Sequence, residues 1–319
     1  MTRTISSTEI ASPAASPAQG RRRGTARRPQ SRTGSQAYIG YIFSSGYVLL
    51  LLAFGIVPML YALYLAFTKR GQFIAFDNFV KVFDDFRFFP AVQHVALFVA
   101  IWLVSLLVLV VVLALVVQGV RVRWVSATTR FLYFIPGALA GSASVLLWLF
   151  LLDPSVSPIA VLLQQFGFDS FTTTVAQSNL PVIFTIIAFW VGAGGWIIIM
   201  YGALNTISTE VMEAARIDGA GPLKTARYIQ IPLMRKWIVY MVIVSIAAGS
   251  QLFVEPRVLS QASRGVVPKD YSINQLAYQF AFGTQSDYNG SAAISILLLV
   301  VAGGLAAIFV FRGGLFDRD

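Results

Sequence analysis

The chain has no cysteine and only one histidine, His94, among its 319 residues. Disulfides, thiolate metal sites and cysteine nucleophiles are therefore excluded, and one imidazole leaves little for a histidine-built zinc site or acid–base pair. Charge is also scarce. Asp, Glu, Lys and Arg make up 12% of the residues against 57% hydrophobic, and the mean hydropathy is +0.72. Soluble domains carry about 25% charged residues, so a water-soluble fold of this size could not cover itself. The bilayer is the natural solvent for this composition. The net charge of +10 comes from 24 basic against 14 acidic residues. The basic residues lie in short gaps between apolar runs, which suits one face of a membrane protein better than a nucleic-acid groove.

Six apolar runs are long enough to cross the hydrocarbon core, which takes about 20 residues at a rise of about 1.5 Å. They are approximately Tyr38–Phe67, Val95–Gln118, Phe131–Leu152, Pro181–Asn205, Ile238–Val254 and Gly290–Phe311, and none contains Asp, Glu, Lys or Arg. Lipid offers backbone groups no partners, so each is predicted to be a helix. Runs such as Val108–Val117 show none of the alternation of a transmembrane barrel strand. The fold class is thus all-α, an integral membrane protein of six helices. Alternate connections starting from the N-terminus hold 17 of the 24 Lys and Arg, and the opposite connections hold 7. The positive-inside bias then places both termini in the cytoplasm.

Residues 1–37, rich in Ser, Thr, Ala, Pro and Arg, cannot bury a core and read as a disordered basic cytoplasmic tail held near anionic lipid. A twin-arginine signal or an RNA-binding arm are the other readings of its arginines. The run starting at Tyr38 is about twice the length of a secretory h-region, so it is expected to stay as an anchor. Residues 38–319 form the six-span domain.

The most informative stretch is the inner connection over 206–237. Ser208 is a suitable N-cap, and Glu210 sits in the first turn, where the helix dipole favours an anion. Gly219 is placed for a left-handed stop, Pro222 for the first turn of a second helix, and Pro232 to end that helix. Ala214 and Ala215 are small enough for another surface to approach closely. Val211 and Met212 supply apolar knobs, and Glu213, Arg216 and Asp218 supply charge. Two short helices with a fixed bend suit either docking to a partner or lying in the headgroup layer.

The string Glu213-Ala214-Ala215, Gly219, Ile229, Ile231-Pro232 resembles the EAA loop of the permease subunits of binding-protein-dependent ABC importers. Glu213 to Ala220 is most similar to the carbohydrate-uptake, maltose-type members, and the resemblance extends over nearly everything from Tyr38 onward. Phe76-Asp-Asn-Phe79, Ile135-Pro136, Trp148 and Phe189-Trp190 with Gly192, Gly194 and Gly195 resemble further family elements. The chain departs from the pattern at Val258–Arg264, where many sugar permeases carry a glycine-rich element. The resemblance implies the type I ABC importer permease fold and cytoplasmic coupling helices in which Glu210, Val211, Met212, Glu213, Ala214, Ala215, Asp218, Gly219, Ala220, Ile229 and Pro232 meet a separate ATPase dimer. It also implies a second homologous permease, an extracytoplasmic solute-binding protein and a cell-membrane location. ATP and Mg would be bound by the partner, so this chain is expected to hold no cofactor and no metal and not to be an enzyme.

Other signals are weaker. Gly219-Ala-Gly-Pro-Leu-Lys-Thr225 lacks the Gly-Lys-Ser/Thr of a phosphate loop, and no strand leads into it. Spans without ionisable groups disfavour an ion-coupled secondary carrier, which stays as the alternative from another class. Within the importer class, a glycerol phosphate ester, a polyamine or a peptide are the other solutes. His94 reads as a satisfied side chain near the outer interface. A substrate path is sketched by Trp190 and Gly194 on span four, Ser245, Ser250 and Gln251 on span five, and Ser295 on span six. Neutral hydrogen-bonding groups suit a polyol-like solute. Gln251 and Glu255 are read as one helical turn apart.

Overall fold

The computed structural model describes residues 34–312 apart from Arg121, Ala140 and Gln285. The basic tail expected at the N-terminus therefore lies outside the described residues as far as Thr33. The chain divides into two compact units, residues 1–56 and 57–319. In the first, α1 (Gly34–Leu51) runs into a π-helical turn over Leu52–Ile56, and its described side chains from Tyr41 onward are all exposed.

The second unit starts with α2 (Val57–Ala66), whose last carbonyls would be orphans at the helix end. Two asparagines satisfy them. Asn78 Nδ2 donates to the carbonyls of Ala66 at 2.9 Å, Thr68 at 3.0 Å and Leu65 at 3.4 Å, and Asn289 Nδ2 donates to Thr68 at 2.7 Å and Leu65 at 2.9 Å. A hairpin follows, β1 (Thr68–Lys69) against β2 (Gln72–Phe73), turning through Arg70 and Gly71, both at positive φ as the twist of a two-residue loop requires. Next comes α3 (Asp77–Phe83), which carries Asn78.

Span two is one helix over Phe88–Gly119: α4 (Phe88–Ser105), a π-helical turn at Leu106–Val110, and α5 (Val111–Gly119). Pro90 is tolerated because it falls in the first turn, where the missing N–H has no partner to lose. Span three departs from the expectation of a single helix. It consists of α6 (Arg123–Phe134), a 3₁₀ turn over Ile135–Ala138 and α7 (Gly141–Leu152), with the two helical parts at 100°. Pro136 and the glycines on either side of the break explain why the apolar run does not continue as one rod. Two short helices, α8 (Ala160–Gln165) and α9 (Phe171–Thr174), lead to α10 (Leu180–Leu204), which matches the expected fourth span within a residue at each end.

The 206–237 connection holds α11 (Thr209–Ile217), α12 (Pro222–Thr225), a π-helical turn over Ala226–Gln230 and α13 (Ile231–Leu233). The chain then bends by 67° into α14 (Arg235–Gly249). That helix is shorter than expected. Residues 250–253 leave the helix and α15 (Val254–Ala262) starts afresh, so Gln251 and Glu255 do not share a helical turn. α16 (Ile273–Phe282) is opened by a Ser272–Gln275 capping box, and α17 (Tyr288–Arg312) is the last span.

Among the described residues, four helices are long and apolar enough to cross a membrane, or up to six if each bent pair counts as one crossing. Two clusters hold the second unit together. One surrounds α10 through Phe184, Ile187, Ile197, Met200 and Leu204 and reaches Phe98, Leu106, Met241 and Tyr271. The other joins Ala66, Phe79, Val82, Val95, Leu276 and Ile294. Elsewhere apolar side chains face outward, for example Leu132, Phe150 and Val300, as a lipid-facing surface requires.

Candidate functional site

The 206–237 loop is anchored at both ends and open in between. Ile207 packs against the main core and Met234 is 1% exposed within it. Ser208 caps α11 by accepting from the Val211 N–H at 3.4 Å. The helix stops in a Schellman arrangement: Ala220 N–H donates to the Ala215 carbonyl at 2.9 Å and Gly219 N–H to that of Arg216 at 3.1 Å. Gly219 sits at φ +73°, so the bend belongs to a residue that takes this conformation without strain. Pro222 opens the second helix. Pro232 does not itself end it; the break comes at Met234, two residues on, after the π-helical turn has displaced the hydrogen-bond register.

Among the expected docking residues, Glu210, Val211, Glu213, Ala214, Asp218, Gly219 and Pro232 are exposed, and Met212, Ala220 and Ile229 are half-buried. Ala215 is different. It is 5% exposed and turned into its own chain, so its small side chain serves internal packing and the Schellman stop rather than approach by a partner. Three apolar side chains not singled out from sequence stand fully out of this loop: Ile217, Leu223 and Tyr228. Helical periodicity hides them, because Ile217 is the last residue of α11, Leu223 stands in the four-residue α12 and Tyr228 lies in the π-helical turn.

The loop has a second, inward face. Gln230 is 6% exposed, and its Nε2 donates to Gln118 Oε1 at 2.8 Å; Gln118 Nε2 reaches the Leu204 carbonyl at 3.5 Å. Neither amide was singled out from sequence. The available signal was a lone Gln ending an otherwise apolar run, at Gln118.

The expected substrate-path residues do not converge. A cleft of about 620 Å³ lies among α4, α6, α7 and α10, and of the six only Trp190 lines it, beside Trp148, Phe189, Thr185, Thr129 and Ser105. Trp148 and Trp190 meet edge to face at 5.8 Å. Gly194 is packed shut: a Cβ there would lie 2.0 Å from the Tyr133 carbonyl oxygen and 2.8 Å from Phe134 Cα. It is a helix-crossing residue, not a cavity residue. Gly192 and Gly195, one turn apart, have open space where a Cβ would go. Ser250 Oγ donates to the Ala247 carbonyl and Ser295 Oγ to that of Ser291, while Gln251 is exposed. Ser245 is 1% exposed and its hydroxyl has no partner; Trp102 Nε1 is likewise buried and unpartnered, and the Trp102 ring lies against Gly249, one turn beyond Ser245.

On the other side of the unit, His94 stacks on Tyr271 with ring centroids 4.3 Å apart, and its nitrogens lie 3.1 Å from the Tyr271 carbonyl and 3.1 Å from Gln177 Nε2. It is the satisfied side chain expected. Nearby, burial raises the pKa of the buried Tyr271 hydroxyl and of the half-buried Glu255 carboxyl. Asp287 is held low: burial opposes ionisation, but Lys81 and the backbone N–H groups of Gly290 and Asn289 outweigh it. Arg87 does the same for Asp85 through a two-pronged hydrogen bond at 2.7 and 2.9 Å.

No family model matches the chain. Its curated relatives are consistent with one another. It is 25% identical to the probable ABC transporter permease protein YurN of Bacillus subtilis, over 78% of this chain and 86% of that one. It is 29% identical to the sn-glycerol-3-phosphate transport system permease protein UgpA of Escherichia coli (73% and 77%) and 27% identical to the diacetylchitobiose uptake system permease protein NgcF of Streptomyces coelicolor (76% and 71%). On this likeness the chain is a membrane transport permease, similar to those of ABC uptake systems. The permease also shares its fold with one chain in the crystal structure of a bacterial ABC transporter involved in the import of the acidic polysaccharide alginate, at a TM-score of 0.77, 19% identity and coverage of 89% and 98%. A second structure of that transporter, in complex with an alginate pentasaccharide-bound periplasmic protein, gives 0.75 at 21% identity, with coverage of 86% and 93%. The permease is accordingly an integral membrane transport subunit, not an enzyme.

Proposed function

We propose that this permease carries a sugar or oligosaccharide inward, receiving it from an extracytoplasmic solute-binding protein and working with a second homologous permease and an ATPase dimer that binds the ATP and Mg. In this reading the bent pairs are crossings, the spans number six, both termini lie in the cytoplasm and the membrane is the cytoplasmic one. The observation that carries it is the 206–237 loop. Its base is locked into the core while Glu213, Ile217, Leu223 and Tyr228 face outward on either side of a glycine bend, a shape suited to a cleft in another subunit.

ATP-driven closure of the partner would press on this loop and switch the pore between inward- and outward-facing states, the driving force being the difference in affinity of the two states for ATP and partners. Along the path, neutral donors and acceptors suit a polyol. Ser105, Thr129 and Thr185, which line the cleft beside Trp190, supply such hydroxyls. The apolar runs themselves hold no Lys or Arg for a phosphate ester, and the cations of span three, Arg123 and Arg130, stand on α6 ahead of its apolar run.

The test is reconstitution of the permease with its ATPase, second permease and binding protein in vesicles. Uptake of the binding protein's sugar ligand should require ATP. Glu213→Arg combined with Gly219→Val should abolish uptake and weaken co-purification of the ATPase while leaving membrane insertion normal. Uptake that persists without ATP or partner would establish the secondary-carrier reading instead, and a binding protein selective for glycerol phosphate would replace the sugar.

A further inference from the structure

The amide pair Gln118–Gln230 links the cytoplasmic loop to the spans by a hydrogen bond between side chains. The two residues are 112 positions apart. Gln230 closes the π-helical turn of the loop's second helix, and Gln118 stands one residue from the end of α5, the last segment of span two. The Gln118 amide is oriented at both ends: its oxygen accepts from Gln230, and its Nε2 points to the carbonyl of Leu204, the final residue of α10. Two spans and the loop therefore meet at one side chain.

The physical consequence concerns how a push travels. Apolar contacts at the base of the loop, through Ile207 and Met234, resist compression but slide under shear, whereas a directed hydrogen bond between the buried Gln230 and the half-buried Gln118 fixes register. The single-turn π-helix is what aims Gln230 inward, since its i to i+5 closure brings Gln230 onto the same face as the buried Thr225, five residues earlier.

We propose that Gln118 and Gln230 are positioning residues that transmit movement of the cytoplasmic loop to the inner ends of spans two and four. The proposal rests on the reading of the loop as the ATPase-docking element. Because the chain has no cysteine, it can be tested with thiols. In the reconstituted importer, Gln118→Leu and Gln230→Leu should each lower ATP-driven uptake roughly tenfold, the factor that leaving one buried amide unpaired commands, while ATPase co-purification stays normal. The double variant should be no worse than either single, because both remove the same bond. Gln118→Cys with Gln230→Cys should be impaired when reduced and regain uptake when joined by a short bifunctional thiol reagent, a gain that a role in folding alone would not give. Losses that multiply in the double leucine variant, uptake within twofold of the parent, or no recovery on cross-linking would overturn the proposal. Failure of the loop reading would show separately, as absent ATPase co-purification in the parent protein.

Discussion

Gly194 and Gly195 are neighbours on one helix, yet the structure assigns them opposite consequences for the same substitution. In Gly194→Ala the new methyl carbon would lie 2.0 Å from the Tyr133 carbonyl oxygen and 2.5 Å from its carbonyl carbon. Both are backbone atoms, so no rotamer change relieves the contact, and α6 must move off α10 by more than 1 Å to restore ordinary packing. Overpacking of this kind costs ~1–3 kcal/mol, against which the better helix propensity of alanine returns ~1 kcal/mol at most. In Gly195→Ala the methyl meets open space and only the helix gain remains. Thermal unfolding of the purified permease should show Gly194→Ala lower by ~5 °C and Gly195→Ala level or slightly higher. Vesicle uptake completes the comparison: if the open Gly192–Gly195 face borders the solute path, Gly195→Ala lowers transport without lowering the thermal midpoint. Equal midpoints for the two variants would refute the assignment of Gly194 to a backbone-to-backbone crossing.

Three further outcomes are expected. Asn78→Ala removes a buried donor shared among three carbonyls at the end of α2 and should cost ~1–3 kcal/mol, measured by chemical or thermal unfolding. Glu255 has a carboxyl whose pKa is raised by burial, so the folded state binds protons more readily than the unfolded one; stability falls as pH rises from the ordinary carboxylate range through the raised value. Glu255→Gln should therefore raise the thermal midpoint at neutral pH, and the gain should vanish at a pH below about 4. Leu223→Ser, at an 81% exposed position, should leave stability unchanged and weaken ATPase co-purification.

Much of this protein was legible in the chain because the bilayer imposes a simple code. Long runs without charge become helices, and the fourth run does so within a residue at each end. The loop was legible for a different reason: caps, glycine stops and helix-opening prolines act over three or four residues, so Ser208, Gly219 and Pro222 sit where local chemistry puts them. Local chemistry also had limits. Hydropathy shows that Phe131–Leu152 and Ile238–Val254 are apolar, but not that the first breaks beyond Pro136 and the second stops at Gly249, where the chain turns aside to start α15.

What the amino-acid order determines alone is the solvent, the helical class and the shape of the cytoplasmic bend, since each depends on side chains that are neighbours along the chain. Tertiary structure decides what any one polar or small residue does. Gly194 and Ala215 prove to be packing residues because other segments lie against them, and Gln118 and Gln230 become partners only when span two and the loop are brought together. The physical reason is range: propensity and burial are set within a turn or two of sequence, whereas a contact across 112 residues exists only once the chain has closed the loop between them.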